Sequence, residues 1–201
     1  MTIAREGYPY IFVGTAVSAV FFIAGFWIPA IVFLILTLFF TYFFRDPERA
    51  FAASEGQVLS PADGKVVLIR EAEGQQIMSI FLSPFDVHIN RAPVSGLITD
   101  IRYQRGKFLA AYDERASSEN EQNSITIVHD GNPIRFVQIA GILARRIVCW
   151  KQVGETLKAG ERIGLIKFGS RVDVYFPAGF RLKAAVGERV KAGESVIGEK
   201  E

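Results

Sequence analysis

Three short segments carry polar side chains in settings where covalent or proton-transfer chemistry can be done. The sharpest is Lys167-Phe168-Gly169-Ser170-Arg171-Val172-Asp173. A serine preceded by glycine can fold its hydroxyl back onto the preceding carbonyl with little hindrance, because glycine carries no Cβ. Attack by Oγ on that carbonyl converts the peptide to an ester, given a base and donors for the oxyanion. Taken alone, Gly169-Ser170 reads equally as a bulge between two strands. The second segment is Ser60-Pro61-Ala62-Asp63-Gly64, whose plain reading is a turn in which Asp63 bonds its own backbone. The third is Phe81-Leu82-Ser83-Pro84-Phe85-Asp86-Val87-His88-Ile89-Asn90-Arg91-Ala92-Pro93. On a strand His88 points to the same face as Asp86 and Asn90, and its ordinary pKa lies closest to neutrality.

The elements that must hold these groups are short strands. Apolar or alternating runs occur at Val66–Arg70, Gln76–Phe81, Leu97–Tyr103, Ser124–His129, Ile134–Ile139, Ile147–Trp150, Arg162–Ile166 and Val172–Phe176. Turn signals separate them, such as Ala62-Asp63-Gly64, Asp130-Gly131-Asn132-Pro133 and Pro177-Ala178-Gly179. Strands at this spacing without a long helical period predict an all-β sandwich or barrel. Lys107–Asn123 is polar and small-residue-rich, and reads as a long loop with a helical turn. There is also an internal repeat: residues 153–163 match 186–196 at 7 of 11 positions. Its Val-Gly-Glu-x-x-Lys-Ala-Gly-Glu core is similar to the hairpin turn of biotinyl and lipoyl carrier domains, and Ser60–Val66 resembles their other turn. The expected fold is therefore mainly β, a barrel-sandwich hybrid of the carrier type. Carrier function itself is disfavoured, because no Met-Lys or Asp-Lys pair is present to bear a modified lysine.

Only two of the 44 charged residues, Arg5 and Glu6, precede Arg45, and nine of the 17 phenylalanines lie between Gly7 and Phe44. One helix over that uncharged run would be about 57 Å long, nearly twice the hydrocarbon thickness of a bilayer. Gly25-Phe26-Trp27-Ile28-Pro29 supplies a break, leaving apolar arms over Tyr8–Ala24 and Pro29–Phe44. Residues 1–44 thus read as a membrane-associating helical hairpin, with Tyr8, Tyr10 and Tyr42 suited to the interface, and 45–201 as a β-rich catalytic domain. The run is too long for a cleaved signal peptide. A formal charge of +2 gives no electrostatic reason to expect nucleic acid. One cysteine and two histidines exclude a disulfide framework within the chain and any multi-cysteine metal or iron–sulfur site, and argue against a protein zinc site.

Phe43-Phe44-Arg45-Asp46-Pro47, Ser60–Gly64, Asp86–Pro93 and Phe168–Asp173, in that order, resemble the short, archaeal-type form of phosphatidylserine decarboxylase. The resemblance covers the whole chain, hydrophobic start included. It implies decarboxylation of phosphatidylserine to phosphatidylethanolamine, and a precursor that cuts itself between Gly169 and Ser170. Residues 1–169 would become the large subunit and 170–201 the small one, with Ser170 converted to a covalent pyruvoyl cofactor. Loss of carbon dioxide from an amino acid leaves a carbanion at Cα, and a carbonyl that condenses with the substrate amine delocalises that charge. The resemblance further implies a phospholipid substrate in the cell membrane, a catalytic domain on the cytoplasmic side and, as a hint, a homodimer.

Residue by residue, the family's aspartate falls on Asp63, which orients a base, and one motif histidine on His88, which transfers a proton. Longer members carry a second histidine where this chain has Arg91, so the base that activates Ser170 stays open: His88 serving twice, a water held by Asp63, or His129. The residue after Ser170 is arginine here. Arg171, Arg91, Asn90, Arg145 and Arg146 are the candidates to meet the lipid phosphate or carboxylate. Two other functions remain open on sequence grounds: a decarboxylase of another serine-headgroup lipid, such as an ether lipid, and a membrane-tethered carrier-like module without catalysis.

Overall fold

The computed structural model describes residues 2–50, 54–72, 74–109, 115–141 and 146–201. The chain divides into two compact units, 1–48 and 49–201, a few residues past the boundary expected at Arg45. In the first, β1 (Thr2–Ile3) pairs antiparallel with β2 (Arg45–Asp46), and between them stand α1 (Tyr8–Ile23) and α2 (Trp27–Phe43). The break falls at Ala24–Phe26, where Gly25 takes φ +80°. Pro29 lies inside α2 and not before it. In the first helical turn its missing N–H would have had no partner within the helix. The helices touch where Gly14 faces Thr37 and where Ser18 Oγ donates to the carbonyl of Ala30 at 2.8 Å. The stretch Arg5–Ile23, 19 residues, is long and apolar enough to cross a membrane, and α2 is a shorter apolar helix.

The second unit is mainly β, with a curled sheet. In chain order its elements are β3 (Gln57–Leu59), β4 (Gly64–Ala72), β5 (Gln75–Leu82), β6 (Ile89–Arg91), β7 (Gly96–Gln104), α3 (Ala116–Glu119), β8 (Gln122–His129), β9 (Asn132–Ala140), β10 (Arg146–Cys149) and β11 (Thr156–Leu157). There follow β12 (Arg162–Lys167), β13 (Ser170–Phe176), β14 (Phe180–Leu182), β15 (Arg189–Val190) and β16 (Val196–Lys200). Each run read as a strand from sequence falls on one of these, with Trp150 just beyond β10. Within Lys107–Asn123 the helical turn is α3, and β8 already begins at Gln122; residues 110–114 of that stretch lie outside the described residues.

The eight-stranded antiparallel sheet has the order β11-β7-β8-β9-β13-β5-β4-β15, and it reads as two copies of one unit. The outer triplets β10-β12-β6 and β14-β16-β3 repeat the same relation. Gly64 and Gly96 open equivalent strands at φ +156° and +152°, and a Cβ on either would overlap the carbonyl oxygen of Phe81 or Val128 across the ladder. Asp63 Oδ1 accepts the amide N–H of Ala192 at 2.8 Å, and Ser95 Oγ accepts that of Ala159 at 2.9 Å, one in each copy. The repeat at 153–163 and 186–196 is thus the visible trace of a larger duplication. The copies meet where β9 pairs with β13. Their inner faces form one core around Val66, Ile80, Ile98, Ile127, Phe136, Val172, Val174 and Phe176, all fully buried. Burial of each such side chain contributes about 1.5–3 kcal/mol.

Candidate active site

Ser170 is the first residue of β13, at the seam between the two copies, paired with Leu82 of β5 and Ala140 of β9. Directly paired residues on antiparallel strands share a face. Ser170 therefore faces the interior with Leu82, Ala140 and Val172, all members of the core. It is wholly buried, and its Oγ has no hydrogen-bond partner among the described residues. The chain reaches it through two consecutive left-handed residues, Phe168 at φ +62° and Gly169 at φ +54°. For a residue with a Cβ such a conformation costs roughly 1–2 kcal/mol. Around Gly169 there is open space, since a Cβ placed there would meet nothing within 4 Å. A nucleophile unsatisfied in its resting state, after a bent glycine, is an arrangement suited to attack on its own peptide.

Asp63 closes the turn after Ser60, whose Oγ donates to the carbonyl of Ala62 at 2.6 Å. Arg49 Nη2 donates to Asp63 Oδ2 at 2.8 Å, while Arg49 Nη1 lies 3.2 Å from Glu194. Burial pushes the Asp63 carboxyl above the usual aspartate range, opposed by the Ala192 amide and by Arg49. Neither Arg49 nor the contact at residue 192 is visible as a site signal in the sequence, since both lie far from Asp63 along the chain.

His88 is 2% exposed, and its Nδ1 lies 3.0 Å from the carbonyl oxygen of Asp86. A carbonyl can only accept, so the neutral ring carries its proton on Nδ1, which leaves Nε2 as the basic nitrogen. The expected row of Asp86, His88 and Asn90 along one strand does not form. β6 begins only at Ile89, and Asp86 instead closes the turn at Ser83–Asp86. Its Oδ2 accepts from Ser83 N at 2.8 Å and Ser83 Oγ at 2.7 Å, and its Oδ1 pairs with Arg189. The Ser-Pro start favours a turn, and the aspartate side chain competes with the ladder for backbone donors.

Hydrogen bonds join the three segments. Arg91 N donates to the carbonyl of Pro61 at 3.0 Å and Asn90 Nδ2 to the same oxygen at 3.3 Å. Asn90 Oδ1 in turn accepts from Gln138 Nε2 at 2.8 Å, and Gln138 Oε1 from Asn123 Nδ2 at 3.0 Å. Gln138 pairs with Val172, two residues along β13 from Ser170. Reasoning from sequence missed Gln138 and Asn123, although a signal was there. In Ile134, Phe136, Gln138 and Ala140 the inward alternation of β9 carries one amide where an apolar residue is due.

Other candidates are placed elsewhere. Arg171 follows Ser170 and so points to the opposite face of β13, with its Nε 2.8 Å from Asp173 Oδ1. Arg91 Nη1 donates to the carbonyl of Gly160 at 3.1 Å and lines a cleft of about 670 Å³ with Trp150, Lys151, Lys158 and Arg162. Arg146 is exposed at the start of β10, and Arg145 lies outside the described residues. His129 pairs with Asn132, at the far end of β9 from Ala140 and hence from Ser170. The eight steps of strand from Asn132 to Ala140 separate it from Ser170 by about 27 Å, which removes it as a base. Sequence had left that choice open.

Comparison with known proteins gives a consistent picture. A family model described as phosphatidylserine decarboxylase matches residues 36–198. The phosphatidylserine decarboxylase proenzyme of Syntrophus aciditrophicus is 47% identical over 206 residues, covering 98% of this chain and 96% of the relative. That of Geotalea uraniireducens is 43% identical over 203 residues, covering 98% and 95%. That of Chlorobaculum tepidum is 44% identical over 176 residues, covering 85% and 80%.

Proposed function

The chain belongs to the phosphatidylserine decarboxylase family, and from that membership we propose that it converts phosphatidylserine to phosphatidylethanolamine with a pyruvoyl group made from its own Ser170. The observation that carries this reading is the buried Ser170 Oγ, unpartnered among the described residues, behind the left-handed Phe168-Gly169 bend. Oγ attacks the Gly169 carbonyl carbon; the C–N bond breaks, the ester C–O bond forms and the hydroxyl proton ends on the freed amine. Loss of the Cα proton of residue 170 and cleavage of its Cβ–O bond then release residues 1–169 with a free carboxylate. Addition of water and loss of ammonia leave a ketone at residue 170. His88, with Nδ1 held by the Asp86 carbonyl, presents Nε2 as the proton donor to the substrate Cα in turnover. Asp63, held by Arg49 and the Ala192 amide, is the carboxylate assigned to orient the base that activates Ser170.

When present, the pyruvoyl carbonyl supplies an electron sink for the carbanion left by carbon dioxide. The residues around position 170 suit it: the site lies among Leu82, Ala140 and Val172, an apolar surround in which charge interactions are stronger than in bulk water. Asn90 is the polar group assigned to the substrate on the interior side, and Arg91 the cation assigned to its phosphate or carboxylate. Residues 1–44 immerse in the cell membrane and keep the β domain, 45–201, at its cytoplasmic surface, where the lipid head group is presented; flotation of the full chain with liposomes checks this. The decisive experiment is the intact mass of denatured protein. Two chains of 169 and 32 residues are expected, the smaller lighter than a serine-started peptide by the elements of ammonia. A single uncut chain that still releases carbon dioxide would overturn the reading.

A further inference from the structure

β13 carries two charged side chains, Arg171 and Asp173, and both are buried, at 2% and 0% exposure. Besides the contact of Nε with Oδ1, Arg171 Nη2 donates to Asp173 Oδ2 at 3.1 Å. Ser117 of α3 accepts from the same Nη2 and donates to Asp173 Oδ2 at 3.2 Å. Placing two charges in such a site is costly unless they are paired and hydrogen-bonded, and a packed apolar pair would serve stability as well. Stability alone therefore does not account for them. Their position does: two residues apart on one strand, they share the face opposite Ser170.

We infer that the Arg171–Asp173 pair is a positioning device that holds residue 170 facing the interior of the curled sheet once the bond before it is cut. The inference rests on the self-cutting reading above. In the precursor, residue 170 is tethered through Phe168-Gly169 to β12. After the cut it is a chain end and the first rung of its ladder, with β5 on one side and β9 on the other. A slip of one residue would turn every side chain of β13 to the other face. That slip would carry Arg171 to the interior face between Leu82 and Ala140, and would take both charges away from Ser117. The buried pair makes it prohibitive, so the reactive carbonyl keeps its aim. An arginine directly after the serine is thereby explained without contact to the lipid, which its orientation does not permit.

The test replaces the pair by apolar residues of similar size, Arg171→Met with Asp173→Leu, in the full chain. Measured together are the cut fraction on a denaturing gel, reactive carbonyl by hydrazine titration, the melting temperature, and kcat and KM on dispersed short-chain lipid. Cutting and carbonyl content should match the wild type, because the tether positions Ser170 before the cut. KM should stay within about twofold while kcat falls ~10-fold or more, the size of effect expected from a misaimed reacting group. Unchanged kcat in a cut double variant would overturn the inference, and so would a raised KM with kcat intact, which would make Arg171 a lipid contact. Ser117→Ala removes only one hydroxyl and keeps the question answerable if the double variant does not fold. Its kcat should fall by ~2–5-fold with cutting complete, on the scale of one lost hydrogen bond, and no fall would again overturn the inference. A wild type that is uncut and lacks a carbonyl would instead sink the proposed function.

Discussion

Replacing His88 separates its structural bond from its chemistry, because the two ring nitrogens do different things. Nδ1 donates to the Asp86 carbonyl at 3.0 Å in a site only 2% exposed. His88→Ala leaves that carbonyl buried without this donor, a loss of about 1–3 kcal/mol. In a domain of this size each kcal/mol moves the melting temperature by about 2–4 °C, so a fall of roughly 2–12 °C is expected. His88→Asn puts an amide N–H where Nδ1–H lies and nothing where Nε2 lies. It should recover most of that stability while remaining without a base. General acid–base catalysis contributes typically ~10²–10⁴-fold, so carbon dioxide release should drop by that factor in both variants. Cutting happens once and tolerates a slow step, so it should suffer less than turnover. An uncut fraction that grows in both variants would mark His88 as the base for Ser170 as well. The assay follows the cut fraction on a gel beside carbon dioxide release from the same preparation. Normal turnover by a fully cut His88→Asn protein would refute the reasoning and remove Nε2 from the mechanism.

The duplicated glycines offer an internal control: Gly64→Ala and Gly96→Ala both force a Cβ against a facing carbonyl oxygen at positive φ. Each should lower stability by about 2–4 kcal/mol in urea unfolding, and only Gly64→Ala, beside Asp63, should also slow cutting; equal effects on cutting would argue against a site in one copy alone. For Asp63, burial raises the carboxyl pKa, so its contribution to stability is complete below the unfolded value of about 3.9 and is lost as pH rises through the folded one. Unfolding free energy relative to Asp63→Asn should therefore move against the wild type between pH 4 and 7, and a shift in its favour would show that Arg49 and Ala192 outweigh burial.

Much of the fold was legible in order along the chain. Alternation and short apolar runs are local properties, and they marked eight of the strands, though not the five-residue β16; the bare run without charge marked the two helices. Strands of two or three residues, such as β6, β11 and β15, hold too few side chains to show a period and exist only because a neighbour pairs with them. The repeat at 153–163 and 186–196 was plain, because hairpin turns constrain glycine and charge. Its counterpart at Gly64 and Gly96 was not, since close approach to a carbonyl leaves only a single glycine as its trace.

For the site, the sequence by itself determined which residues are able to react: a serine after glycine, a histidine in a proline-bounded segment, an aspartate in a turn. Those abilities are intrinsic to side chains and to the immediately flanking backbone. What tertiary structure decided is which of them face one another. Strand alternation on β13 turned Ser170 inward and Arg171 outward, though they are neighbours in sequence. The length of β9 set His129 about 27 Å away, though histidines are few. The Ser83–Asp86 turn took Asp86 out of a row that spacing alone had drawn. Facing is fixed by register, and register is set by pairing partners scores of residues away, which no local pattern contains.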